Sequence, residues 1–285
     1  MAEITILGKE DMGAFEQSLR AESMSEETIT QYLAHAARIT GLLESADEAG
    51  VRKYLGETLK DVKPTYRRFN YCVLRRLFRM WKVPWPEDIR APKVPQSSIS
   101  RPRFQIEQIE KIIKARSNLD DRARYYLAMS TTYGLRRGEL LKSRYEHRDL
   151  LRRRVLVMTG KLGIQRWHII PDAIIKDLSW DFTNPMPLTN ARRMSELFHY
   201  ICIVSGVESK AQDGWHTIRR SLVRCLRRAG VPKDERWAFL RWKQKGDTDD
   251  IYAGELEPED FEGIDQKVLS KHPFLPFYSA AGEIT

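Results

Sequence analysis

Between Pro84 and Arg103 the chain reads PWPEDIRAPKVPQSSISRPR, and its five prolines prevent a helix or a central strand from running through it. Serines follow and no apolar period appears, so the stretch is expected to be an extended connector. Whatever lies on either side must then build its own core. A chain of 285 residues can supply two. We expect a helical domain over 1–90, a linker over 91–103 and a second domain over 104–285.

The first domain reads as four amphipathic helices. Phe15 and Leu19 repeat at helical spacing, and Ser23 with Glu26 offers a capping box before Ile29, Leu33, Ala36 and Leu43. Val51 to Leu59 suggests a short third helix. After Pro64, Tyr66, Phe69, Val73, Leu77 and Trp81 mark one face of a fourth, while Arg68, Arg75, Arg79 and Lys82 line another. In the second domain, helical patterns cover Phe104 to Ala115, Arg122 to Thr132 and Ala191 to Arg228, the last interrupted near Ser205–Gly214. Pro232 to Tyr252 reads as helical with a break at Gly246. Two short apolar runs, VLVM and WHII, flank Gly160 and Gly163 and predict a hairpin. The expected class is mainly α with a small β-hairpin or sheet, an α+β fold.

Composition narrows the function classes. With 48 Lys+Arg against 39 Asp+Glu, a net charge of +9 suits a polyanionic partner, because neutralised phosphates release counterions. Cys72, Cys202 and Cys225 are far apart and have no metal-ligand spacing, so neither a disulfide framework nor a zinc site is expected. No apolar run approaches the ~18 residues of a membrane span, and the first residues lack a signal-peptide layout. A cytoplasmic, nucleoid-associated protein is expected.

Several motifs of the second domain carry chemistry suited to a phosphodiester. Arginine offers a permanently charged planar fork that matches a phosphate bidentately. A tyrosine hydroxyl must lose a proton to attack, and the departing sugar oxygen must gain one, which His and Lys can arrange. Thr131-Thr132-Tyr133-Gly134-Leu135-Arg136-Arg137-Gly138-Glu139-Leu140 opens a helix at an arginine; Thr159-Gly160-Lys161 sits at the hairpin turn; His216-Thr217-Ile218-Arg219 places two candidates one helical turn apart; Leu240-Arg241-Trp242-Lys243 precedes Ile251-Tyr252. In this order and spacing they resemble the active-site boxes of the tyrosine recombinases, the phage-type integrase family.

That resemblance implies specific roles. Tyr252 is the nucleophile, Arg136 and Arg219 clamp the phosphate, Lys161 protonates the leaving oxygen, and His216 assists proton transfer. Glu139 is the buttress of the arginine turn, with Arg137 its surface neighbour. Trp242 lies beside the phosphate, with Lys243 the other candidate for that place. Two departures stand out: Trp242 is one residue further from Tyr252 than in the family pattern, and Arg241 replaces its glycine. The first domain resembles the family's helical core-binding domain, which implies that Arg68, Arg75 and Arg79 contact double-stranded DNA. Cleavage through a 3′-phosphotyrosyl link is implied, with no cofactor and no metal. A monomer in free solution forming a homotetramer on paired sites, and no membrane partner, are also implied. The segment after Tyr252, with Leu256, Phe261, Ile264 and Val268, packs in cis or on a neighbouring protomer. A type IB topoisomerase-like nicking-closing enzyme, an inactive DNA-binding regulator and a helical protein-interaction module are the alternatives.

Overall fold

A computed structural model describes residues 9–95, 102–159, 165–183, 186–242 and 258–279, and the chain divides into two compact units at Ser100/Arg101. In unit 1, α1 (Lys9–Ala21), α2 (Glu26–Leu42), α3 (Glu48–Lys53), a π turn (Tyr54–Thr58) and α4 (Pro64–Met80) enclose Phe15, Leu19, Ile29, Ile39, Val51, Leu74, Leu77 and Phe78. The start of α2 differs from expectation. Ser25, not Ser23, caps it by accepting the Thr28 N–H, while Ser23 takes a left-handed turn at φ 55°. Glu26 is therefore free to pair with Arg20 at the end of α1 instead of closing a box. On α4, Pro64 occupies the first turn, where its missing N–H costs nothing. Val73 and Leu77 are buried, whereas Arg68, Arg75 and Arg79 are exposed along one side.

Unit 2 is built around α6 (Asp121–Tyr133), a helix buried on almost every side. Asp120 caps it by accepting the Ala123 N–H at 2.7 Å. Around it lie α5 (Ile106–Lys114), α7 (Arg137–Leu140), α8 (Ala191–Val204), α9 (Trp215–Arg228) and α10 (Lys233–Phe239). A three-stranded antiparallel sheet, β1 (Arg148–Asp149), β2 (Arg154–Val157) and β3 (Arg166–Ile169), completes the α+β fold. Register pairs Val155 with His168 and Val157 with Arg166, which puts all four on the inward face. The WHII run is thus not an apolar strand: Trp167 is exposed, and β3 buries an arginine and a histidine.

Their counter-charge comes from nearly a hundred residues away. Asp265, on α11 (Pro258–Ser270), pairs with Arg166, meets His168 Nδ1 at 3.1 Å and accepts the Ile169 N–H at 2.9 Å. The last helix, α12 (Pro276–Ser279), brings Tyr278 Oη to 2.7 Å from Thr131 Oγ1. Between these two helices His272 Nε2 donates to the Thr132 carbonyl and its Nδ1 accepts the Phe274 N–H. The segment over 258–279 therefore packs in cis, against the unit's own core. Among the described residues no helix is long and apolar enough to cross a membrane.

That packing should make unit 2 less stable in acid. Burial pushes His272 down to about 4, opposed only weakly by Thr132, and its two hydrogen bonds already fix the neutral tautomer. A depressed histidine pKa means that the unfolded chain binds the proton first. The contribution of His272 to stability is thus constant above about pH 6.5 and falls as the pH drops toward 4, by about 3 kcal/mol for a fully buried imidazole. Urea midpoints at pH 7 and pH 4.5 read this directly. His272→Gln, which keeps a donor for Thr132 but cannot titrate, should show a shallower fall; an equal slope would assign the effect elsewhere.

Candidate active site

Gly134 ends α6 in the left-handed conformation at φ 61°. A Cβ there would stand 2.9 Å from Leu240 Cδ2 and 3.3 Å from Arg219 Cγ, so both the turn and the close approach require glycine. The chain then enters α7, which is one turn long. A helix that short contributes little to anion binding, and the work falls to side chains. Arg136 precedes that turn. Its Nη1 lies 2.6 Å from Glu139 Oε1, and its backbone N–H donates to Oε2 at 2.9 Å. The Arg136 side chain is 36% exposed and Glu139 only 2%. Arg137 points away, toward Ser195 Oγ at 3.2 Å.

Arg219 reaches the same carboxylate from α9. It shares the buried face with Ile218, Leu222 and Leu226, while His216, one turn earlier, stands at the exposed rim. The Arg219 guanidinium donates to the carbonyls of Gly134 and Leu240 and lies 3.9 Å from Glu139 Oε2. Its Nε has no hydrogen-bond partner among the described residues. Trp242 is half-buried with its ring 5.3 Å from the Arg219 guanidinium carbon. Four of the expected site residues, Arg136, Glu139, Arg219 and Trp242, are thus linked by direct contacts, and His216 borders them. Lys161, Lys243 and Tyr252 lie outside the described residues.

The electrostatics favour an anion. Burial opposes the charge on Glu139, but Arg241, the Arg136 N–H, Arg219 and Arg136 together hold its carboxyl below the usual range. Three guanidiniums around one carboxylate leave surplus positive charge. His216 feels it: crowding by the fold, then Arg220, Arg219 and Arg136, push it down to about 4. A neutral imidazole at neutral pH can accept a proton, and an incoming phosphate would raise its basicity.

Sequence reasoning missed Arg241. The helix predicted through Tyr252 stops at Phe239, because α10 ends in a Schellman turn: Trp242 N–H donates to the Trp237 carbonyl and Arg241 N–H to that of Ala238. Arg241 occupies the left-handed position of that turn at φ 56°. Its guanidinium, fully buried, reaches Glu139 Oε2 at 3.3 Å and His168 Nε2 at 2.9 Å. The one available signal was arginine standing where the resemblance implied glycine.

No family profile matches the sequence, and no curated protein matches it. Solved structures do. A lambda integrase dimer bound to a COC′ core site superposes with a TM-score of 0.66 at 16% identity, covering 87% of this chain and 78% of that one. For a lambda integrase tetramer bound to a Holliday junction the values are 0.64 and 17%, over 85% and 80%. XerH recombinase bound to its difH substrate, in a pre-cleavage complex, gives 0.60 and 14%, over 84% and 85%. At these identities the likeness speaks for the fold, and the fold of this chain is that of the tyrosine recombinases and integrases.

Proposed function

We propose that the chain is a site-specific DNA recombinase that cleaves and rejoins DNA through a covalent bond to Tyr252. The observation that carries this reading is the meeting of Arg136 and Arg219, from positions far apart in sequence, on Glu139 in a site with surplus positive charge. Such a site suits a phosphodiester whose oxygens gain negative charge as a fifth ligand approaches. The Tyr252 oxygen attacks phosphorus, the bond to the 5′ oxygen breaks, and a 3′-phosphotyrosyl link forms. His216 takes the phenolic proton and Lys161 gives one to the departing oxygen. Because one phosphoester replaces another, no external energy source is needed. Attack by the 5′-hydroxyl of a second duplex, with the proton transfers reversed, completes the exchange. Trp242 covers Arg219 and shields it from water.

Double-stranded DNA is the partner in this reading, with Arg68, Arg75 and Arg79 on α4 available for phosphates or bases. Four copies on two sites are the expected assembly. Cleavage separates the enzyme from a DNA-binding regulator: a duplex nicked just downstream of the target loses the short fragment that carries the new 5′-hydroxyl and traps the adduct. Denaturing electrophoresis and peptide mapping should place the DNA on the Tyr252 peptide. Binding without an adduct at the target would reduce the chain to a regulator, and supercoil relaxation without exchanged joints would make it a nicking-closing enzyme.

A further inference from the structure

Position 241 has a backbone conformation that glycine adopts freely and other residues rarely adopt, yet it carries arginine. Both terminal nitrogens of the side chain are engaged, while its Nε has no hydrogen-bond partner among the described residues. Nη1 donates to His168 Nε2 at 2.9 Å and to the Phe239 carbonyl at 3.1 Å; Nη2 donates to the Tyr133 carbonyl at 3.1 Å and to Glu139 Oε2 at 3.3 Å. Four terminal N–H groups meet four acceptors, a set that an ammonium with three protons cannot match. The relay continues outward. His168 Nδ1 donates to Asp265, so the acceptor lone pair on Nε2 is fixed toward Arg241.

What the arrangement does follows from two distances. Glu139 Oε2 is 3.3 Å from Arg241 and 3.9 Å from Arg219, so the two guanidiniums compete for one oxygen and Arg241 holds the nearer place. Arg219 is thereby kept from full neutralisation by Glu139 and retains charge for an incoming anion. The residues on either side of Arg241 both meet Arg219. The Leu240 carbonyl accepts from Arg219, and the Trp242 ring packs over it.

Resting on the recombinase reading, we propose that Arg241 is a positioning residue: by occupying Glu139 it keeps Arg219 free and aimed for the scissile phosphate. It does not touch DNA itself. Without it, Arg219 collapses onto Glu139 and the clamp loses one arm.

The test uses the full chain and three variants: Arg241→Gly, which suits the left-handed turn, Glu139→Gln, and the two combined. With the nicked duplex at saturating protein, Arg241→Gly should bind DNA as wild type does but cleave about 10²- to 10³-fold more slowly, the scale expected for loss of one charge-stabilising donor. Adding Glu139→Gln to Arg241→Gly should restore at least part of that rate, because a neutral amide no longer captures Arg219. A merely structural role predicts the opposite order, with the double variant slower than Arg241→Gly, and that order would overturn the proposal. Tungstate-induced thermal stabilisation gives a second readout independent of cleavage: present in wild type, lost in Arg241→Gly, regained in the double variant. If that series holds while wild type forms no adduct, the recombinase reading falls and the positioning role stands. If wild type cleaves but the double variant regains neither rate nor stabilisation, the positioning role falls alone.

Discussion

Tyr252→Phe should bind duplex DNA with unchanged affinity and form no covalent adduct under any trapping condition. Removal of one oxygen takes away the only atom that the proposed mechanism bonds to phosphorus, so the expected loss is complete rather than graded. Binding is spared because duplex affinity comes chiefly from Lys and Arg contacts to phosphates, many of them remote from the reacting bond. Filter binding across a salt series should return superimposable lines for the two proteins. Residual adduct in the variant, mapped to another residue, would move the nucleophile elsewhere.

Replacing either arginine should be nearly as damaging. Arg136→Ala and Arg219→Ala each remove a donor set aimed at charge that grows in the transition state, and a loss of about 10²- to 10³-fold in the cleavage step is expected from each. The two losses should not multiply in the double variant, since in the proposed mechanism the forks act on one phosphate as a unit. The variants will differ in stability. Arg136 is partly exposed and its loss costs unit 2 little, whereas Arg219→Ala strands the Gly134 and Leu240 carbonyls in the core, at about 1–3 kcal/mol for each unsatisfied group. Single-turnover rates with thermal midpoints separate these effects: Arg136→Ala should lose rate at nearly constant midpoint, and Arg219→Ala should lose both.

Much of this site could be read from the chain because its motifs are local. Gly134-Leu135-Arg136 is a turn whose glycine and arginine are neighbours, and His216 and Arg219 sit within one turn of α9. The apolar stripe of α4 and the buried α6 are likewise short-range patterns. What escaped depends on pairings across the chain. Arg166 and His168 are inward only because β3 meets β2 in one register and because Asp265 arrives from α11 to balance them. Arg241 reads as a surface cation until Glu139, Tyr133 and His168 are placed around it. Ser25 caps α2 in place of Ser23, which takes the left-handed turn after α1, and Glu26 pairs with Arg20 instead of closing a box.

The central claim is that Arg136 and Arg219 act by neutralising the scissile phosphate. A duplex carrying a methylphosphonate at that one position, with a methyl group in place of a charged non-bridging oxygen, tests it most directly. Once the substrate is neutral, a missing guanidinium should matter far less, and Arg136→Ala and Arg219→Ala should form adduct at rates approaching wild type while Tyr252→Phe still forms none. If wild type cleaves the neutral substrate and both arginine variants stay as impaired as on ordinary DNA, the two guanidiniums do not serve that phosphate and the account is wrong.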